Sequence, residues 1–184
     1  MHFFRIILDH PDMQARAAAE LDSVLSQGQL PTLDDEGRLP YTTALVLESM
    51  RYQPLAPQAV PHKYTGDQDD VYRGYRIPKG SMIIPNTWIQ MSDAYRQITY
   101  PSPDDFKPDR FLNEDGTLNK EIFNPRDTTF GYGRRICPGK DLAYTTLLLV
   151  AACVLRTCTV VKARRLDGTV IEPPSECVGV GVAM

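Results

Sequence analysis

Ten residues, Phe130-Gly131-Tyr132-Gly133-Arg134-Arg135-Ile136-Cys137-Pro138-Gly139, constrain this chain more than any other stretch. A cysteine stands at the mouth of an apolar helix, behind two arginines and among glycines. Unpaired amides give a helix N-terminus partial positive charge, which favours a thiolate there over a thiol. Gly131, Gly133 and Gly139 let backbone approach closely, and Arg134 and Arg135 can meet carboxylates. The set reads as a loop that holds a thiolate in a defined pose beside something large and anionic. The plainer alternative is a buried cysteine capping a core helix, but every spacing around Cys137 also fits a ligand loop, and that reading is preferred.

The helix that follows is expected from about Pro138 to Arg156. Its apolar run, Leu142 to Leu155, is about fourteen residues, short of the ~20 needed to cross a bilayer. Upstream, residues 3–8 read as the end of a helix. A second helix opens at Asp9-His10-Pro11, with Met13, Ala17, Leu21, Val24 and Leu25 at helical spacing and Gly28 as its stop. Gln29 to Arg38 is polar and reads as a surface loop. Leu39 to Pro54 reads as a third helix with Pro40 in its first turn. Glu48 and Arg51, three apart, share one face of that helix and can pair with each other or with a common partner. Short strands are expected at Val60 to Tyr64, Tyr72 to Ile77 and Ser81 to Ile84, the last two flanking a turn at Pro78-Lys79-Gly80. Asn86 to Met91 reads as a short helix. An irregular, proline-punctuated stretch then leads to the cysteine loop, and a strand near Thr159 to Ala163 follows the last helix.

The cysteine run resembles the heme-binding loop of the cytochrome P-450 superfamily, F-x-x-G-x-R-x-C-x-G, with Phe130, Gly133, Arg135, Cys137 and Gly139 at the fixed positions. Glu48 and Arg51 resemble that family's E-x-x-R pair, and Phe106-Lys107-Pro108-Asp109-Arg110-Phe111 its later proline-rich loop, with Arg110 the matching arginine. The resemblance implies an α+β fold: the C-terminal, heme-loop half of the cytochrome P-450 fold, with helices and a small antiparallel sheet region. It implies one partial domain over residues 1–184.

The site implied by the resemblance has Cys137 as axial ligand of the iron of heme b (iron protoporphyrin IX). Thiolate ligation favours O–O cleavage. Arg135 and His62 would contact heme propionates, and Phe130 would pack on the thiolate side of the macrocycle. Gly139 would belong to the same cofactor-binding loop. Glu48, Arg51 and Arg110 would brace the fold behind the heme. Substrate-facing segments would be Leu55 to Val60 and Cys177 to Val180. The activity implied is a monooxygenase of secondary metabolism, inserting one atom of O2 into a small lipophilic substrate with electrons from an NADPH-dependent reductase. Full-length members of the family lie at the endoplasmic reticulum membrane.

The chain covers less than half of the family's usual length. The membrane-anchoring helix and the long distal helix with its acid–alcohol pair are expected to be missing. The chain as given would then be a soluble, cytoplasmic piece with no catalytic residue beyond the heme ligand, and a catalytically inactive remnant is the alternative reading. Its 184 residues, 42% hydrophobic with a formal net charge of -3, suit one domain and show no basic stripe for nucleic acid. The four cysteines have no spacing that suggests a disulfide framework or a zinc site.

Overall fold

The computed structural model describes residues 2–54, 56–92 and 100–173. Four helices make the core: α1 (His2–Asp9), α2 (Pro11–Val24), α3 (Pro40–Tyr52) and α6 (Lys140–Thr157), with α2, α3 and α6 in mutual contact. α3 runs through the middle. Every residue from Tyr41 to Arg51 is buried, although the stretch holds Thr42, Thr43, Glu48, Ser49 and Arg51. A helix buried all round is normally apolar all round, so these polar groups need partners inside the protein.

The first partner is Glu20 of α2. Its carboxylate accepts the amides of Tyr41 (2.7 Å) and Thr42 (2.8 Å) and the Thr42 hydroxyl (2.7 Å). It thus meets the positive end of the α3 dipole and satisfies amides that have no partner within the helix. The apolar face expected on α2 is the face that packs: Ala17, Leu21 and Leu25 are buried, and Met13 and Val24 lie against the core.

The second partner set surrounds Glu48 and Arg51. Arg51 grips Glu48 with both ends of its guanidinium, Nε to Oε2 at 2.7 Å and Nη2 to Oε1 at 2.8 Å. Arg110, from a 3-10 turn at Pro108–Phe111, donates through Nε to the same Oε1 at 3.1 Å. The Lys107 amide donates there too, at 2.8 Å. Carbonyls take the remaining donors: Met91 and Asp105 for Arg51, and Pro101, Ser102 and Asp105 for Arg110. The distant Arg110 turn is thereby pinned to the central helix.

Three expectations need correction. Gln29 to Arg38 is not all loop: Leu33–Arg38 forms a 3-10 helix. Asp35 drives it, accepting the Thr32 amide and hydroxyl (2.9 Å each) and Arg38 (3.1 Å); the two Thr32 bonds and the Arg38 cation hold its carboxyl below the usual range. Tyr72 to Ile77 is not one strand. β2 (Asp70–Tyr72) and β3 (Tyr75–Ile77) form a hairpin, because Arg73 and Gly74 adopt φ of 49° and 84°, the left-handed pair that a two-residue hairpin turn requires. Ser81 to Ile84 therefore contributes β4 (Met82–Ile83) to a second ribbon, paired with β1 (His62–Lys63). The turn at Pro78-Lys79-Gly80 is present, with Gly80 at φ 81° and the Ser81 amide bonded to Pro78 O at 3.1 Å. Among the described residues Thr159 to Ala163 forms no strand. Val160 is held by the Gln14 side chain, which donates to its carbonyl (3.0 Å) and accepts its amide (2.6 Å).

α4 (Thr87–Ser92) and α5 (Arg126–Thr129) connect this core to the cysteine loop. Among the described residues no helix is long and apolar enough to cross a membrane.

Breaking a buried charge pair by removing one partner costs about 3–5 kcal/mol, whereas losing a helix cap costs about 1 kcal/mol. Arg51→Ala is therefore expected to be largely insoluble or to melt far below the parent, and Glu20→Ala to fold with a modest loss. Thermal unfolding followed by circular dichroism separates the two. A wild-type melting curve for Arg51→Ala would show that the cluster contributes no stability.

Candidate functional site

The cysteine loop begins where α5 stops. Thr129 donates its hydroxyl to Pro125 O at 2.8 Å, and the chain then leaves the helix at Phe130. Gly131 and Gly133 take φ of 84° and 56°, a region open to glycine at little cost. The corners they make lead through a 3-10 turn at Gly133–Arg135. The Cys137 amide then bonds back to Phe130 O at 2.8 Å and closes the loop. The Cys137 carbonyl accepts the Lys140 amide (3.3 Å) and Gly139 O accepts the Ala143 amide (2.8 Å), so α6 starts directly behind the cysteine.

Cys137 is a free, exposed thiol. A Cβ at Gly139 would stand 3.9 Å from its sulfur, so the glycine leaves that side of Sγ open. Arg134 and Arg135 are exposed, and among the described residues neither guanidinium has a hydrogen bond or ion pair. Arg126 differs: it pairs with Asp141 at 2.8 Å and lies 3.8 Å over the Tyr144 ring. Burial and the neighbouring Glu36 push the Tyr144 hydroxyl pKa up, and it stays protonated. Arg134 and Arg135 are thus the loop's uncommitted cations.

These residues fit a heme. Its iron needs one soft donor from the protein, and Cys137 offers a sulfur facing outward. Its carboxylates need cations that are not already paired, and Arg135 is one. Among the described residues no three His, Cys, Asp or Glu gather to hold a bare ion.

The other expected residues are placed as follows. Phe130 is partly buried against the core. His62 is half-buried on β1, opposite Ile83; among the described residues no hydrogen bond, ion pair or ring contact joins it to the cysteine loop. Glu48, Arg51 and Arg110 meet in one buried cluster, away from the loop in sequence. Ala56 to Val60 is a largely exposed turn, while Leu55 and Cys177 to Val180 lie outside the described residues. The sequence reading passed over Tyr132 and Gln90, whose side chains hydrogen-bond to each other. It also passed over Met91, whose carbonyl accepts Arg51 and whose sulfur lies 3.7 Å from the Thr128 hydroxyl. Nothing in spacing alone marks these residues, because each pair is joined across some forty positions of chain.

Comparison with known proteins completes the picture. The family model described as cytochrome P450 matches residues 1–178. Similar proteins include cytochrome P450 monooxygenase 98 of Postia placenta, 40% identical over 177 residues, which are 96% of this chain and 33% of that protein. Cytochrome P450 monooxygenase ple1 of Rhodocybe pseudopiperita is 44% identical over 174 residues, 95% of this chain and 32% of that one. Tryptamine 4-monooxygenase of Psilocybe cyanescens is 38% identical over 174 residues, with 94% and 33% covered. The chain spans about a third of the length of the curated relatives it matches. The family implies heme as cofactor, and the match over residues 1–178 shows that the chain belongs to the cytochrome P450 family.

Proposed function

We propose that this chain carries the heme-thiolate site of a monooxygenase that inserts one atom of O2 into a small lipophilic substrate in secondary metabolism. The observation that supports it is the exposed Cys137 thiol at the mouth of α6, beside an arginine that has no partner among the described residues. The group bound would be heme b, which when bound supplies oxygen activation at its iron. Electrons would come from an NADPH-dependent reductase, and the whole protein would work at the endoplasmic reticulum membrane. At 38% identity the tryptamine enzyme is no nearer than relatives with other names, so the proposal stops at the substrate class.

The residues of the chain divide the work. Cys137 supplies the sulfur, and α6 turns the positive end of its dipole toward that anion. Arg135 donates to a propionate in a charge-assisted hydrogen bond. His62 can donate a second, as either tautomer or as the cation. Phe130, braced on the core, gives the loop a fixed apolar floor. Gly139 keeps the surface beside the sulfur free of side chain.

Ligation is tested by the reduced carbon monoxide complex. The parent is expected to show the red-shifted Soret band of a thiolate ligand; Cys137→Ser loses it and Cys153→Ser keeps it. An unchanged band in Cys137→Ser would overturn the assignment. Turnover by the whole protein with reductase, NADPH and labelled O2 should give a product carrying one labelled atom, absent in Cys137→Ser. Label arriving only from water would count against oxygen insertion.

Heme retention tests the arginines. Hydrogen bonds to charged groups contribute about 1.5–3 kcal/mol, so Arg135→Ala should release heme to excess apomyoglobin roughly ten- to a hundredfold faster. Arg134→Ala should stay close to the parent. Equal rates for the two variants would remove the propionate role from Arg135.

A further inference from the structure

Two parts of the molecule matter most to the site: the buried Glu48–Arg51–Arg110 cluster and the cysteine loop. They share no residue. α4 stands between them and touches both. Arg51 Nη1 donates to the Met91 carbonyl at 3.1 Å, which fixes the end of α4 to the cluster. From the other side, the Tyr132 hydroxyl donates to the Gln90 side-chain oxygen. The Thr128 hydroxyl, 3.3 Å from Pro125 O, also lies 3.7 Å from the Met91 sulfur. α4 itself is six residues long, too short to persist without such contacts. Its start is held by Asn86 Oδ1, which accepts the Ile89 amide at 3.0 Å, and by the Trp88 amide, which donates to Pro57 O at 3.0 Å.

Tyr132 sits between Gly131 and Gly133, both in the left-handed region. Glycine gives the loop its shape but widens the range of conformations open to it. Among the described residues, the Tyr132–Gln90 bond is the one side-chain hydrogen bond from residues 130–137 to any other part of the protein. It grips the loop at the point where the backbone is least restrained.

Building on the heme-thiolate reading, we propose that α4 is a strut that sets the pose of the Cys137 loop, with Tyr132 and Gln90 as positioning residues. The cluster fixes Met91, Met91 fixes the register of α4, and the adjacent Gln90 holds Tyr132 and so the arc that carries Cys137. Neither residue is given a ligand role. Both act through the loop.

The test uses Tyr132→Phe, Gln90→Leu and the double variant in the full chain, with three measurements: heme release to apomyoglobin, tryptic nicking after Arg134 and Arg135, and melting temperature. Nicking needs no heme. The expected result is that each single change speeds both heme release and nicking about fivefold, the factor equal to the ~1 kcal/mol of one net hydrogen bond. The double variant should go no faster than either single, because both remove the same bond. The melting temperature should fall by no more than about 2–4 °C, the shift that ~1 kcal/mol gives a domain of this size.

Unchanged rates in the singles, multiplying effects in the double, or a melting temperature that falls by much more than about 4 °C would each overturn the strut. The heme reading fails separately. If the parent never shows the thiolate Soret band, nicking alone decides, and faster nicking in Tyr132→Phe still supports the tether.

Discussion

One carboxylate organises this structure. Glu48 is fully buried in the central helix, and each of its oxygens is used. Oε2 takes Arg51 Nε; Oε1 takes Arg51 Nη2, the Lys107 amide and Arg110 Nε. A lone carboxylate in such a place would be expelled or protonated. Here two guanidinium groups share it, and backbone carbonyls from Met91, Pro101, Ser102 and Asp105 absorb their spare donors. The last three of those carbonyls belong to chain with little regular structure. A stretch without helix or sheet must satisfy its main-chain groups some other way, and the two arginines do so for residues around 101–105. Replacing such a cluster with apolar side chains can leave stability unchanged or raise it. What apolar residues could not do is choose which carbonyls lie beside α3. The cluster is better understood as a device for placing an irregular segment than as a source of net stability.

The same physics decides what was legible in the sequence. α2, α3 and α6 follow from apolar spacing, prolines in the first turns and a glycine stop, all of which are local signals. Glu48 and Arg51 are also local, and Arg110 was found through the resemblance. Contacts closed by backbone groups were not legible, because carbonyls have no letter in a sequence: Met91 O, Asp105 O and the Lys107 amide left no trace. Glu20 was hidden for a related reason, since an acid on α2 looks like any solvated acid until α3 is seen to begin beside it. The ribbons were misread because the β2–β3 hairpin is exposed on nearly every residue. With neither face buried there is no alternation to read, and the Arg73-Gly74 turn lacks the Asn-Gly or Asp-Gly pair that usually announces one. At the cysteine loop the residues proposed to hold the cofactor could each be named from the motif, while the Tyr132–Gln90 link depends on the placement of a short helix that only tertiary contacts hold.

The choice among the cysteines follows from where each lies on α6. Cys153 faces partly inward, and desolvation pushes its thiol pKa up, away from the thiolate a metal needs. Cys158 is exposed but caps the far end of the helix, with Thr157 Oγ1 3.5 Å from its sulfur. There the helix presents the negative end of its dipole, which repels an anion. Cys177 lies outside the described residues. Cys137 is at the opposite end from Cys158: exposed, just ahead of the first helical amides, with two arginines in the preceding turn that have no partner among the described residues. One helix thus provides three environments for the same side chain. Of the three described cysteines, the N-terminal one combines access, a favourable field and cations without partners among the described residues, which is what the proposed ligand role asks of it.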